Sequence, residues 1–343
     1  MEKLNIKNMT ATELSLVLRE MNEKHHRTRQ IMQWLYQKGA TSFSSMSNLS
    51  IPLRGRLSEM FRITSLDVVR SVASNEDKSQ KFLLSTDDGL LIESVIMEAQ
   101  GHYTICISSQ IGCPLGCAFC STGSGGFERD LRADEILNQI LYFRTNHIPA
   151  GQRFNIVFMG MGDPFLNIEN VSRALAVVND IDAFALREKR VTVSTAGFPG
   201  RIDAISSSPL KFSLAVSVNA TTEKIRSELM PGAGGLHETV AAAERFARAR
   251  KSRTTLEYVL IEDVNDSPED AARLSAMTAG KPFKINLIPF NEWEGCPFRR
   301  PSEKRLEEFI RILLPKAPAV TVRRSQGNDI SAACGQLRMR ERP

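Results

Sequence analysis

Tyr103-Thr-Ile-Cys-Ile-Ser-Ser109, followed three residues later by Cys113-Pro-Leu-Gly-Cys117-Ala-Phe-Cys120, is the stretch on which the reading of this sequence turns. The first part is a short apolar, β-branched run of strand character. The second sets three cysteines at C-x3-C-x2-C spacing in the loop leaving that strand. Loops at the C-terminal ends of barrel strands are where α/β barrels build their sites. Three thiolates there can hold three irons of a [4Fe-4S] cluster and leave the fourth iron without a protein ligand. That iron can take the amino and carboxylate groups of S-adenosylmethionine (SAM), whose one-electron cleavage generates a 5′-deoxyadenosyl radical. Zinc is the competing reading, but it normally takes four ligands, and His102 is expected at the far end of the strand.

Working outward, similar runs recur at Phe154–Met159, Val191–Ser194, Lys211–Ser217, Thr254–Leu260 and Phe283–Ile288. Amphipathic stretches lie between them, at Ala133–Asn146, Ile168–Asn179, Gly235–Ala249 and Pro268–Met277. Strand–helix alternation of this kind builds a parallel sheet. Six units fall short of the eight that close a barrel. The expected fold is therefore α/β, a partial (β/α)6 barrel over residues 101–343, with a last strand at Ala319–Arg324 and a tail carrying Cys334. Residues 1–70 read as a small helical accessory domain: Ile31, Met32, Trp34, Leu35 and Tyr36 recur at helical spacing before Gly39, and a second short helix is expected over Pro52–Phe61. Residues 71–100 read as a short β linker, Lys81–Thr86 and Leu90–Met97 around Asp87-Asp88-Gly89.

The 343 residues, 42% hydrophobic, hold no uncharged apolar run near the roughly 18 residues a bilayer span needs. With six scattered or clustered cysteines and no disulfide-scaffold density, a cytoplasmic protein using thiols for ligation or redox chemistry is expected, with no membrane partner. The net charge of +5 is uneven. Residues 1–70 hold 11 Lys and Arg against 6 Asp and Glu, while the rest balance at 33 against 33, which suggests a polyanionic partner for the N-terminal segment.

Polar or glycine-bearing turns follow the later strands: Gly160-Met-Gly162-Asp163-Pro164, Ser194-Thr-Ala-Gly197, Ser217-Val218-Asn219 and Asn291. Each alone is more often a turn or helix cap. Their shared place at one barrel mouth points to a ligand, with Asp163 facing its amino group.

Phe119, just before the third cysteine, completes the pattern of the radical SAM superfamily. Across nearly its whole length the sequence resembles the RlmN family of adenine-C2 RNA methyltransferases, with the Cfr family its nearest relative. The resemblance is carried by Arg29-Gln-Ile-Met-Gln-Trp-Leu-Tyr36, Cys106-Ile-Ser-Ser-Gln-Ile-Gly-Cys113, Gly160-Met-Gly-Asp-Pro164, Val191-Thr-Val-Ser-Thr195, Glu228-Leu-Met-Pro231, Asn286-Leu-Ile-Pro-Phe-Asn291 and Ala332-Ala-Cys-Gly-Gln-Leu337. It implies a [4Fe-4S] cluster on Cys113, Cys117 and Cys120, and two SAM per turnover. One SAM methylates Cys334; the other supplies the radical that takes a hydrogen from that S-methyl group. The carbon radical adds to adenine C2, and Cys106 resolves the adduct as a disulfide, with Glu93 as proton acceptor. SAM contacts are implied at Gly162, Asp163, Ser194, Ser217, Val218, Asn219 and Asn291. Three positions depart from the family pattern: Asp163 stands where Glu is usual, Asn219 where His is usual, and Gln326-Gly-Asn328-Asp329 where Arg-Gly-Asp-Asp is usual. Cys296 matches no functional position.

The substrates implied are an adenosine of 23S rRNA and, for many members, the adenosine 3′ of the tRNA anticodon. A flavodoxin or ferredoxin is the implied electron donor. Arg27, Arg29, Lys38, Arg54 and Arg56, with Arg338, Arg340 and Arg342, are candidate phosphate contacts. Competing readings are methylation at C8 as in Cfr, a zinc-stabilised RNA-binding module, and a radical SAM enzyme of small metabolites. Pro164 and Pro289 favour C2, since Cfr carries other residues at the two prolines.

Overall fold

A computed structural model describes residues 3–338. One ten-stranded sheet runs through the molecule in chain order: β1 (Asp67–Ala73), β2 (Ser79–Ser85), β3 (Leu91–Ala99), β4 (His102–Cys106), β5 (Phe154–Phe158), β6 (Val191–Thr195), β7 (Ser213–Ser217), β8 (Thr254–Leu260), β9 (Phe283–Pro289) and β10 (Val320–Val322). The first four pair antiparallel and β4 to β10 pair parallel. Parallel neighbours need crossovers, and these are the helices Ala133–Asn146, Ile168–Asn179, Pro199–Ser206, Leu236–Ala249, Pro268–Thr278 and Glu303–Leu313. Their starts are local in origin: Ser267 accepts from the Asp270 amide with Pro268 at the first turn, and Ser302 accepts from Arg305. The helix over Pro199–Ser206 and the one at Glu223–Leu229 carry little amphipathic signal because each spans only two turns.

The partial barrel is as expected, and its strands begin within two residues of the expected positions. Upstream, the reading needs correction. The first 70 residues are not helical throughout, because β1 opens at Asp67. Most of its residues are exposed, so this sheet edge buries too little to leave a pattern. Residues 71–100 are not a linker: β2 and β3 continue the barrel sheet, and Val95 of β3 stands opposite Cys106 of β4. The helices Ala11–Glu20, His26–Met32 and Ile51–Met60 do form a bundle. The second widens into a π turn over Gln33–Gln37 before Gly39, at φ +66°, reverses the chain. Buried polar contacts seat the bundle on the first crossover helix: Lys7 Nζ donates to Asn138 Oδ1 at 2.8 Å and Asn5 Nδ2 to Asp134 Oδ2 at 2.6 Å.

Candidate active site

The loop after β4 is closed at its neck by the strand pair Gln110–Gly112 and Phe127–Asp130. At Gly112, φ is +76° and a Cβ would lie 2.1 Å from the Gly126 carbonyl oxygen, so only glycine fits. Within the loop the Cys113 amide donates to Gly126 O (2.8 Å), Ala118 to Leu229 O (2.9 Å) and Cys120 to Cys117 O (3.0 Å). Cys113, Cys117 and Cys120 thereby line one cleft of ≈ 160 Å³ at the C-terminal ends of the parallel strands.

Burial pushes the Cys113 thiol up to about 12 and raises Cys117 well above its ordinary value, with repulsion among the cysteines adding to both. Thiolates so placed need a bound cation. A single zinc ion is the wrong one: with Zn–S near ~2.3 Å its sulfurs converge to roughly 3.8 Å. Among the described residues, the group whose ligand atoms all lie within 4.8 Å of one another is Asp87, Asp88 and Glu135, not the cysteines. Those carboxylates are already paired with Arg62, Arg129 and Arg132 at 2.5–2.8 Å. His102 sits at the opposite end of β4 and lines a different basin. Among the described residues the three cysteines are thus not drawn together as a mononuclear site requires, and their number and spacing suit three irons of a polynuclear cluster.

Of the expected SAM contacts, Gly162, Asp163, Ser194, Ser217, Asn219 and Asn291 line the same cleft. Val218 does not: its side chain packs in the core, its amide donates to Glu257 O (2.9 Å) and its carbonyl accepts from Arg226 Nη1 (2.7 Å). Gly162 takes φ +87° with its Cα against Gln110, where a Cβ would come within 2.4 Å. The Asp163 carboxylate accepts from the Ala196 amide (2.6 Å), the Phe165 amide (2.8 Å) and Thr195 Oγ1 (3.0 Å). Burial nevertheless pushes its pKa up to about 6. Asn219, at φ +53°, accepts from the Val259 amide (2.8 Å) and donates to Met230 Sδ (3.3 Å).

The tail is docked through its described residues. Ser121 N donates to Gly335 O (2.7 Å), Asn291 Nδ2 to Cys334 O (3.1 Å), Gln336 Nε2 to Glu292 O (2.7 Å) and Thr122 Oγ1 to Leu337 O (2.5 Å). Cys334 consequently lines two spaces, the cleft with the three cysteines and an adjoining cavity with Cys106. Burial pushes the Cys106 thiol up to about 12 and also raises Cys334, while Arg323, in the same cavity, pulls both down.

Glu93 is buried on β3. It is 6% exposed, pairs with Lys81 at 3.0 Å and accepts from the Arg338 amide at 2.7 Å. It lines a third space beside the tail, with Asp329 and Arg338, and not the cavity of Cys106 and Cys334. The basic residues of the bundle are largely engaged within the protein. Arg56 and Arg27 pair with Glu23, Arg29 lies 3.4 Å from Asp182, Arg54 donates to Ser44 O and Lys38 stacks over Trp34. Arg340 and Arg342 lie outside the described residues.

Three residues escaped the sequence reading. Arg226 is 2% exposed and its guanidinium donates to Gly234 O (2.7 Å), Ser217 O (3.0 Å), Val218 O (2.7 Å) and Ala196 O (2.6 Å), tying the ends of β6 and β7 together. Arg323 faces both Cys106 and Cys334. Trp293 donates to the Phe119 carbonyl (3.1 Å) over the cysteine loop. A lone arginine or tryptophan in a loop or short helix carries no sequence sign of burial, so only their spacing from quoted motifs hinted at them.

A partial parallel barrel with three cysteines at C-x3-C-x2-C spacing after its first strand, opening on a glycine- and serine-lined cleft, defines a radical SAM enzyme. Residues 107–275 match the radical SAM superfamily and residues 4–63 match the ribosomal RNA large subunit methyltransferase N-terminal domain. Proteins called dual-specificity RNA methyltransferase RlmN are similar throughout: that of Geotalea uraniireducens is 41% identical (99% of this chain, 98% of the relative), and that of Geobacter sulfurreducens 42% (98% and 92%). A crystal structure of a radical SAM methyltransferase from Sphaerobacter thermophilus, 37% identical, superposes with a TM-score of 0.89 over 98% of this chain and 99% of that one. The chain belongs to the RlmN family of radical SAM methyltransferases.

Proposed function

We propose that this RNA methyltransferase places a methyl group on C2 of an adenosine in 23S rRNA, and of the adenosine 3′ of the tRNA anticodon, through Cys334. The observation that carries this reading is the position of Cys334, which lines the cluster cleft on one side and the cavity of Cys106 on the other. Cys113, Cys117 and Cys120 hold the [4Fe-4S] cluster, which supplies the electron that cleaves SAM to methionine and the 5′-deoxyadenosyl radical.

An aromatic C2 is not nucleophilic, so the methyl carbon travels on protein sulfur. Cys334 accepts the methyl of one SAM as a thioether. After a second SAM has provided for loss of one hydrogen, that carbon bonds to C2. The adduct gives up the C2 proton and one electron, which the bound cluster would take back. The Cys106 thiolate then bonds to the Cys334 sulfur as the sulfur–carbon bond breaks. The pair of that bond stays with the methylene carbon, which takes a proton to become the methyl group, and the disulfide left behind must be reopened by an external reductant. Arg323, beside both sulfurs, favours their anionic forms. Glu93, which lines the neighbouring space beside the tail, is assigned the C2 proton. A flavodoxin or ferredoxin serves as electron donor, in the cytoplasm; among the described residues no helix is long and apolar enough to cross a membrane.

Asp163 is assigned the SAM ammonium. Only the ionised carboxyl pairs with a cation, and its pKa is about 6. SAM affinity of the reconstituted protein is therefore expected to fall as pH drops through about 6, and Asp163→Asn to bind weakly with no such pH step. Equilibrium dialysis checks this; an unchanged step in the variant removes Asp163 from the site.

C2 is favoured over the C8 alternative by Pro164 and Pro289. RNA carrying C2- or C8-deuterated adenosine, treated with the pure reduced protein, tests the assignment by mass spectrometry. Deuterium loss from C2 is expected, and loss from C8 overturns it.

A further inference from the structure

The face opposite the cleft carries a charge pattern that the chemistry does not use. In a parallel sheet every segment entering a strand lies on one rim. Arg153 stands just before β5, Arg187 and Lys189 before β6, Lys211 before β7, and Lys251 and Arg253 before β8. All six are exposed, and among the described residues none of their side chains has an ion pair or a hydrogen bond. Acids on this rim are few: Glu188 lines the trough between Arg187 and Lys189 and acts on Arg250, Asp182 takes Arg29 (3.4 Å) and Gln33 Nε2 (2.9 Å), and Asp180 accepts from the Asp182 amide (2.8 Å). The mouth rim, by contrast, mixes both signs, with Glu262 and Asp263 alongside Arg299 and Arg300.

The cations also border a continuous trough. A basin of ≈ 520 Å³ beside Lys38 and Arg153 adjoins one of ≈ 1000 Å³ beside Arg187, Lys189 and Lys211, and the two share Ala185, Leu186 and Arg190. The trough thus runs from the accessory bundle across the base of the barrel.

We infer that this trough is a second docking surface for the sugar–phosphate backbone of the substrate RNA, gripping a segment remote from the target adenosine. The inference rests on the RNA-substrate reading above. Strands of five to seven residues rise about 17–23 Å. A backbone lying in the trough therefore belongs to another arm of a folded RNA, not to the hairpin whose base enters the cleft. The grip reads charge and not sequence, because it presents guanidinium and ammonium groups, while Tyr36, Phe154 and Phe184 in its lining are buried and His102 is the exposed ring among the described lining residues.

The test compares the full chain with the combined variant Arg153→Ala, Arg187→Ala, Lys189→Ala, Lys211→Ala, using a whole tRNA transcript and a minimal hairpin bearing the same target adenosine. Binding is measured across a salt series. With the whole tRNA, the slope of log affinity against log salt is expected to flatten by roughly 3, and affinity to fall about tenfold or more. The hairpin should bind both proteins alike, and turnover at saturating RNA should not change. A set keeping the charge, Arg153→Lys with Arg187→Lys, should retain the wild-type slope. An unchanged slope in the alanine variant overturns the inference, as does equal weakening with the hairpin. Unchanged RNA binding with turnover lost only when an acidic flavodoxin replaces dithionite assigns the trough to the electron donor and overturns it too. A wild-type protein that binds neither RNA overturns the functional reading itself.

Discussion

Cys334→Ala is expected to lower RNA methylation by at least about 10³-fold, the scale of loss when a covalent nucleophile is removed. The same variant should keep its brown cluster and its SAM-induced spectral change, because Cys113, Cys117 and Cys120 stay in their loop. The fold should survive, since the tail is held by backbone groups: Gly335 O takes the Ser121 amide and Cys334 O takes Asn291. Cys106→Ala has a different signature. Its methyl carrier is intact, so carbon–carbon bond formation proceeds and the adduct cannot be resolved. A covalent protein–RNA species should accumulate on a denaturing gel, absent from the double variant. Turnover by Cys334→Ala would mean that the radical acts on its substrate directly, as in radical SAM enzymes of small metabolites. A colourless, zinc-loaded protein after anaerobic reconstitution with iron and sulfide would remove the enzyme reading altogether.

Arg226→Met is expected to cost about 4 kcal/mol or more of stability. Its guanidinium satisfies four carbonyls, those of Ala196 and Val218 in the interior and those of Ser217 and Gly234 at its half-buried edge. Methionine fills much of the volume but leaves those acceptors unpaired, at roughly 1–3 kcal/mol each before relaxation. Arg226→Lys should recover little, because one ammonium cannot reproduce the fork that spans β6 and β7. The midpoint of urea unfolding measures the loss. SAM binding should weaken in step, since the residues tied together end in Ser217 and Asn219 of the cleft. A midpoint near the wild type would show that water or neighbouring groups satisfy those carbonyls.

The elements that could be read from residues are those with a local cause. The six barrel strands are apolar, β-branched runs, and long crossover helices such as Ala133–Asn146 repeat their apolar positions over several turns. Strand β1 failed because an edge strand with most residues exposed leaves no alternation to read. The segment taken for a linker failed for another reason: Leu91 to Ile96 of β3 are buried without a break, and whether such a run joins a neighbouring sheet depends on which strand lies beside it. Nothing local to Glu93 announces that Lys81 and the tail will close over it. The basic N-terminal segment looked like a free phosphate-binding face, yet most of its named cations found partners inside the protein, and a row of cations without such partners, Arg153, Arg187, Lys189 and Lys211, lies at the base of the barrel.

What the sequence by itself determined is the donor set and the strand–helix order, because C-x3-C-x2-C spacing and hydrophobic period are properties of near neighbours along the chain. Tertiary structure alone decided that Cys334 stands between the cluster cysteines and Cys106. Those residues are separated by more than 200 positions, and what joins them is the docking of the tail through Ser121, Thr122, Asn291 and Glu93. Each of those hydrogen bonds is short in space and long in sequence, so no local pattern encodes it.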